Sequence, residues 1–311
     1  MTSLPKVSII VLTTNALAMT KEMLSDVAKL DTNGMKADCA VVDNGSSDGT
    51  EDAIKNYTFP NMDYKFIRSG TNLGFGAGNN IGIKSALEEE PDYVVLMNND
   101  LILPKDLLTK MVGYMEDNSD VGLASPKMYF APGYEFHKDR YEESELGKVI
   151  WYAGGIIDWK NVYSSHRGVD EVDHRQYDMI IETDFANGAC VIVRSEVFKK
   201  TSYLDDSFFL YWEDADFSQR AKKSGYKVIY YPGVGIWHKV SATSGGSGSP
   251  SNDYFLIRNR FYFAMRYANL RAKCAVLRDT VKLFFIGRPW QKRGAGDALL
   301  GVKGKGTWVG R

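Results

Sequence analysis

The segment 93–103, YVVLMNNDLIL, constrains this chain's fold more than any other stretch. Five apolar residues, Tyr93 to Met97, run unbroken and stop at Asn98-Asn99-Asp100, after which Leu-Ile-Leu and Pro104 follow. A run of that length closed by turn formers predicts a strand buried on both faces of a parallel sheet. In open α/β sheets, ligands sit beyond the carboxyl ends of such strands. A carboxylate flanked by two amides suits a hard divalent cation with a ligand hydrogen-bonded beside it. The same three residues also make an ordinary strand-to-helix turn, because Asn and Asp are frequent turn and N-cap residues. The rest of the chain decides between these readings.

The pattern before and after this segment is regular. Lys6–Thr13 predicts a first strand, followed by a helix over Leu17–Leu30. Ala37–Asp43 predicts a second strand, Tyr64–Arg68 a third, and Phe75–Glu89 a helix behind a glycine-rich start. Strands alternating with helices, each strand ending in polar turn residues, indicate a doubly wound, mostly parallel sheet. Between Pro126 and Glu182 the pattern weakens into an irregular insertion, with a hairpin expected around Trp151–Arg167. Regularity returns with a strand over Thr183–Val193, a short helix from Ser195, a helix over Asp214–Lys223 and a strand over Tyr226–Tyr231. The Gly/Ser-rich stretch 241–253 reads as a flexible loop, either a lid or a linker. Tyr254–Ala272 reads as a helix, and from Val276 the apolar residues fall at helical spacing with Arg278, Asp279 and Lys282 opposite.

Domain organisation follows from these boundaries. Residues 1–240 are expected to form one α/β domain, divided into halves 1–100 and 101–240. Residues 254–311 form a basic, amphipathic helical extension. Composition is that of a globular chain able to bury a core, at 44% hydrophobic and 25% charged. Three scattered cysteines (Cys39, Cys190 and Cys274) fit neither a disulfide framework nor a zinc site, so a reducing compartment is expected. The first residues lead straight into a strand without a signal-peptide core, and no run is long enough to span a bilayer. The net charge of −1 hides an asymmetry. From Arg258 onward, thirteen Lys and Arg face two acids, Asp279 and Asp297, so that stretch carries +11 and the preceding 257 residues −12. A basic extension on an acidic body points to a polyanionic partner, nucleic acid or an anionic membrane surface. The chain lacks the stacking motifs of a known nucleic-acid reader, which favours the membrane.

Three strand ends carry polar clusters: Thr13-Thr14-Asn15, Asp43-Asn44 and Asn98-Asn99-Asp100. Hydroxyls after a first strand and an acid after a second suit a nucleoside, because the acid accepts bonds from ribose hydroxyls or a base N–H. The run from Asn72 through Gly74, Gly76 and Gly78 to Asn80 invites a dinucleotide motif, but position 79 is Asn and position 81 is Ile where the third glycine belongs. With no Walker lysine, both nucleotide motifs fail, although the glycines still let backbone approach a ligand. Glu213, Asp214 and Asp216 are either catalytic carboxylates or first-turn helix charge. A lone histidine such as His238 is more often structural than a ligand.

Together these segments resemble the family 2 glycosyltransferases of GT-A fold, the group that includes bacterial rhamnosyl- and galactofuranosyltransferases. The resemblance is carried by VSIIVLTTN, VVDNGSSDGT, NLGFGAGNNIGI, VVLMNND, NGACVIVRSEVF, LDDSFFLYWEDADFSQRAKKSGYKV and IWHK, in family order from residue 7 to 239. It implies a nucleotide-sugar donor held by Thr13, Thr14, Asn15, Asp43, Asn44, Asn72, Gly74, Gly76, Asn98 and Asn99. It implies a divalent metal, Mn²⁺ or Mg²⁺, on Asp100 and His238, with Asn98 standing where the family has its first acid. Asp214 matches the base that takes the acceptor proton, and Glu213 is a second candidate or an acceptor ligand. Asn187, Gly188, Ala189 and Trp212 match segments near the donor or acceptor sugar, and Arg258 matches a residue suited to phosphate. The expected activity is metal-dependent, inverting glycosyl transfer, with rhamnose from dTDP-rhamnose as first choice and UDP-linked galactofuranose or a hexose as the alternative. The acceptor is expected to be a saccharide or a lipid-linked saccharide used for cell-surface polysaccharide, at the cytoplasmic face of the membrane. A sugar nucleotidyltransferase would need a basic, glycine-rich signature near Ser8–Leu17, which is absent. A non-catalytic binding module sits poorly with intact Asp100, Asp214 and His238.

Overall fold

The computed structural model describes residues 4–240 and 248–310. Its first half follows the expected alternation: β1 (Lys6–Thr13), α1 (Leu17–Val27), β2 (Lys36–Asn44), α2 (Thr50–Ile54), β3 (Asp63–Ser69), α3 (Phe75–Leu87) and β4 (Tyr93–Asn98). The four strands pair in parallel in the order β4-β1-β2-β3. Val7, Ile9 and Val11 of β1 face one core layer with α1, while Ile10 faces another with α3. Both faces of β1 and β4 are therefore buried, which is why they carry the apolar runs Ile9–Leu12 and Tyr93–Met97, whereas the edge strand β3 stays partly exposed. Close approach of α3 needs glycine: a Cβ on Gly82 would lie 2.6 Å from Ile10 Cγ2 and 3.0 Å from Val42 Cγ2.

The second half mixes strand directions. It comprises β5 (Leu101–Ile102), α4 (Leu107–Asp117), β6 (Val121–Phe130), β7 (Ile150–Tyr152), β8 (Gly155–Asp158), β9 (Tyr163–His166), β10 (Ile181–Glu182), β11 (Cys190–Arg194), α5 (Ser195–Thr201), α6 (Glu213–Lys223) and β12 (Lys227–His238). β11 runs antiparallel between β4 and β6, and β12 lies parallel to β6. The hairpin expected around Trp151–Arg167 is β8 paired with β9.

Three boundaries differ from expectation. Of the strand expected over Thr183–Val193 only the end forms, as β11; residues 183–189 are irregular, and Asn187 closes a turn there in which its Oδ1 accepts from Ala189 N at 2.9 Å. The strand beginning at residue 227 runs on to His238 and delivers that residue to the carboxyl edge of the sheet. Of the loop expected over 241–253, residues 241–247 lie outside the described residues, and Pro250–Asp253 is the first turn of a helix. Ser249 caps that helix by accepting from Asn252 N, and Pro250 supplies the preset φ of the first helical position.

The extension comprises α7 (Pro250–Tyr267), α8 (Leu270–Ile286) and α9 (Pro289–Leu300). The helix expected over Tyr254–Ala272 breaks at Ala268, and Asn269 caps the next one. α7 belongs to the main core through Tyr262, Phe263 and Ala264, and Phe263 packs against Trp212 and Trp159. α8 buries only Ala272, Val276 and Thr280.

Candidate active site

A cavity of about 1150 Å³ opens at the carboxyl ends of β1, β2 and β4. Thr13, Thr14, Asn15, Asn44, Asn72 and Gly74 line one part of it. Asn98, Asn99, Asp100 and His238 line a second, and Asn187, Gly188, Ala189, Trp212, Glu213 and Asp214 a third. Residues more than 200 positions apart in the chain thus share one wall.

Most polar side chains of the first group already have internal partners. Asn44 Nδ2 donates to Asn72 Oδ1 and to the Gly74 carbonyl, and its Oδ1 accepts from Leu73 N at 3.0 Å. Asn99 Nδ2 donates to Thr13 and Thr20 hydroxyls at 3.1 and 3.0 Å. Asn15 Oδ1 accepts from Ser47 N, which ties the loop after β1 to the loop after β2. These residues set the shape of the rim by bracing its turns. Ser47 and Asp48, which the sequence pattern did not single out, also reach the cavity.

Three expected site residues stand elsewhere. Asp43 is fully buried behind the rim, where Oδ1 accepts from Ser46 N and Oδ2 lies 3.5 Å from Arg68 Nε. Gly76 packs beneath the Asp205 carbonyl, at 3.4 Å from a notional Cβ, so it serves the contact between α3 and the chain before α6. Arg258 is fully buried on α7 and donates to the Phe208 carbonyl at 2.8 Å and, at 3.5 Å, to that of Ser207. It does not face the cavity, because its guanidinium is consumed in holding backbone carbonyls.

Those carbonyls belong to an unusual loop. Phe209, Tyr211 and Trp212 have φ of 64°, 66° and 76°, a left-handed conformation that side chains disfavour. Asn259 Nδ2 donates to the carbonyls of Phe208, Leu210 and Tyr211 at 2.8, 2.7 and 2.9 Å. Arg258 and Asn259 together hold the loop in this shape, and α6 starts directly after it. Strain of this kind persists only where surrounding bonds over-determine it.

Glu213 and Asp214 open α6. Asp214 accepts from Gly188 N at 3.2 Å and from Ala215 N at 2.7 Å. Burial raises the pKa of both acids, and the neighbouring Asp214 raises Glu213 further. Glu213 Oε2 has no hydrogen-bond partner among the described residues, whereas the two N–H donors and the helix N-terminus favour the charged form of Asp214. Glu213 therefore holds the proton and Asp214 is the carboxylate that ionises. Asp216 is structural: it is fully buried and pairs with Arg220 and Arg266, each at 2.8 Å.

Asp100 Oδ1 lies 3.0 Å from His238 Nε2, and both side chains are buried. Neither Asp100 Oδ1 nor His238 Nδ1 finds a hydrogen-bond partner among the described residues. Asp100 Oδ1 and His238 Nε2, 3.0 Å apart on the cavity wall with no hydrogen bond made by that oxygen, fit two ligands of one divalent cation. No cluster of three or more His, Cys, Asp or Glu residues that could hold a metal ion occurs among the described residues.

Trp151 and His166 are further wall residues that the sequence pattern did not single out. Trp151 stands edge-on between the rings of His238 and His166, at 4.3 and 4.7 Å. Burial pushes the pKa of His166 down to about 4, so it is neutral. Its Nδ1 then donates to the Trp151 carbonyl, and Nε2 accepts from Asn187 Nδ2, both at 3.1 Å.

Residues 8–202 match the model of the family described as glycosyl transferase family 2. A "low-salt glycan biosynthesis hexosyltransferase Agl10" of Haloferax volcanii is 25% identical over 226 residues, 72% of this chain and 66% of the relative. An "N-acetylglucosaminyl-diphospho-decaprenol L-rhamnosyltransferase" of Mycobacterium tuberculosis is 23% identical over 214 residues, 66% of this chain and 67% of the relative. The matched stretch thus spans about two thirds of each relative's length. Among solved structures, the mannosyltransferase PcManGT of Pyrobaculum calidifontis, in complex with GDP-Man and Mn²⁺, superposes with a TM-score of 0.57 at 19% identity. That match covers 96% of this chain and 75% of the other. The sheet, with β11 inserted antiparallel beside β4, is that of GT-A glycosyltransferases, and the chain belongs to glycosyl transferase family 2.

Proposed function

We propose that this glycosyltransferase moves a sugar, with inversion, from a nucleoside diphosphate onto a saccharide carried on a lipid, and that it needs a divalent metal ion. The observation that carries the proposal is the shared cavity wall of Asp100, His238 and Asp214. Asp100 and His238 would hold the ion, with diphosphate oxygens of the donor completing its sphere. When bound, the metal ion neutralises charge developing on the leaving diphosphate. Asp214, ionised and fixed by Gly188 N, accepts the proton of the acceptor hydroxyl as that oxygen attacks the anomeric carbon. Neutral Glu213 beside it offers an O–H to the same hydroxyl or to a neighbouring one. Direct displacement requires no covalent intermediate on the protein.

Rhamnose from dTDP-rhamnose is the first choice of donor. A rhamnosyltransferase is among the relatives, and its printed name gives a diphospho-decaprenol-linked acceptor. The hexosyltransferase relative keeps a UDP-linked hexose or galactofuranose as the alternative. The exposed outer side of α8 supports work at a membrane surface. Leu277, Val281, Phe284, Phe285 and Ile286 stay exposed there, on a stretch that carries most of the chain's excess positive charge. No helix among the described residues is long and apolar enough to cross a membrane. An anionic bilayer at the cytoplasmic face is the surface such a helix fits.

The test is thermal stabilisation by dTDP, UDP and GDP with and without Mn²⁺, followed by turnover of the matching nucleotide sugars. We expect one nucleotide to raise Tm by several degrees only when Mn²⁺ is present, and Asp100→Ala to erase the difference. Stabilisation that is indifferent to metal, or unchanged in Asp100→Ala, sinks the metal assignment.

A further inference from the structure

The segment after α9 has no regular secondary structure, yet it is fastened at several points. Tyr262 Oη donates to the Val302 carbonyl at 2.6 Å, and Gly304 N donates to the Ser207 carbonyl at 2.8 Å. Thr307 donates to Asp297 Oδ2 from both its N–H and its hydroxyl, each at 2.9 Å, and the same N–H reaches Tyr254 Oη at 3.0 Å. Asp297 and Tyr254 are buried, so the side chain of Asp297 inside the helical extension finds hydrogen-bond donors in this segment. Gly306 has φ of 58°, and any Cβ there would collide with Tyr254 Oη. A free end needs none of this.

These bonds deliver Trp308 to the wall of the same cavity as Asp214 and Trp212. Its ring sits 4.6 Å from Trp290 and 5.7 Å from Phe255, and Phe255 stacks on Phe209 at 5.1 Å. An aromatic wall therefore runs from the strained loop ahead of the proposed base to Trp308. Because the attacking hydroxyl must reach Asp214, the acceptor lies on the side of the cavity built by that loop and by α7. Aromatic faces there suit the apolar C–H face of a sugar ring.

We propose that Trp308 is an acceptor-binding residue, a platform for a sugar ring of the acceptor, held in place through Thr307 and Asp297. This rests on the glycosyl-transfer reading above and adds to it a subsite made by a segment some 90 residues beyond the proposed base. The extension then serves the chemistry directly, besides any contact with lipid.

The test uses the full chain and two separate assays. One is hydrolysis of the nucleotide sugar without acceptor; the other is transfer to N-acetylglucosaminyl diphosphate carrying a short alkyl chain, as the acceptor probe. Trp308→Ala should raise KM for the probe about tenfold, with kcat within twofold and with donor KM and hydrolysis unchanged. Trp308→Phe, which keeps an aromatic face and the packing on Trp290, should fall between the two. Thr307→Val should show the same split at smaller amplitude. An unchanged probe KM in Trp308→Ala, or an equal rise in donor KM, overturns the subsite. Failure of the unaltered protein to turn over any nucleotide sugar overturns the glycosyl-transfer reading and this inference with it. Wild-type kinetics in Trp308→Ala remove the subsite alone.

Discussion

The side-chain amide of Asn259 donates to the carbonyl of Tyr211 at 2.9 Å, across 48 residues of chain, and the same nitrogen also serves Phe208 and Leu210. One asparagine thereby fixes the three-residue approach to Asp214. Asn259→Ala leaves these carbonyls without their donor at a cost of about 1–3 kcal/mol, and frees a loop with three side-chain-bearing residues in the left-handed region. Relaxation of the loop moves the start of α6. We expect kcat to fall about 100-fold, because displacement of a reacting group by an ångström has that scale of effect. Nucleotide affinity should fall less than kcat, by the part of the loop movement that reaches Phe75 N, which donates to the Phe209 carbonyl. Single-turnover rates and nucleotide titration separate the two, and a kcat within threefold of the parent contradicts the positioning role.

Asp214→Asn tests the base directly. It should lower transfer by roughly 10²–10⁴ while nucleotide binding persists. The pH profile carries a second expectation. A base works when ionised, so activity is lost as pH falls through the pKa of Asp214, and burial moves that acid limb above the ordinary aspartate range. Glu213 is raised well beyond its partner, so it is already protonated when Asp214 titrates. Glu213→Gln should consequently leave the acid limb in place. A limb that shifts in Glu213→Gln, or lies at the usual aspartate value, reverses this division of the proton.

The exposed apolar side of α8 sets up a lipid test. Phe285 and Ile286 are 67% and 69% exposed and make no core contact, so replacing both with Ser should not cost folding. The unaltered chain should float with vesicles containing anionic phospholipid and stay behind with neutral ones, and added salt should weaken the association. The double variant should lose flotation with anionic vesicles while keeping turnover of a soluble acceptor. Equal flotation of both proteins removes the membrane-facing reading of α8.

The first half of the sheet was legible because its central strands bury both faces. Ile9 and Ile10 point into opposite core layers, so Ile9–Leu12 is apolar throughout, and Thr13 and Asn98 mark where the apolar runs end. That Asp100, Glu213, Asp214 and His238 lie on the cavity was legible because each ends or follows a strand or opens a helix. The rest depends on contacts with no local signature. Trp151 meets His238 across 87 positions, His166 meets Asn187 from a hairpin inserted beside the sheet, and Trp308 arrives from beyond the last helix. Arg258 was misplaced for a related reason. An arginine suits phosphate and buried carbonyls equally well, and only the tertiary fold shows that the Phe208 carbonyl claims it.

Two glycines with opposite environments give a stability test of how α3 is seated against the sheet. Gly82 faces β1 and β2 so closely that an alanine Cβ would come within 2.6 Å of Ile10 Cγ2, a methyl on a β-branched side chain that has little freedom to move. Gly82→Ala should destabilise by about 1–3 kcal/mol through overpacking. Because α3 carries Gly74 and Phe75 at its start, nucleotide affinity should fall with stability. Gly113, on the exposed side of α4, has nothing within 4 Å of a notional Cβ. Gly113→Ala should therefore stabilise by about 0.5–1 kcal/mol, from the lower entropy of the unfolded chain. Denaturant midpoints measured side by side decide the matter. If both substitutions shift in the same direction, helix propensity dominates and the tight contact of α3 with Ile10 is wrong; opposite signs are what this packing requires.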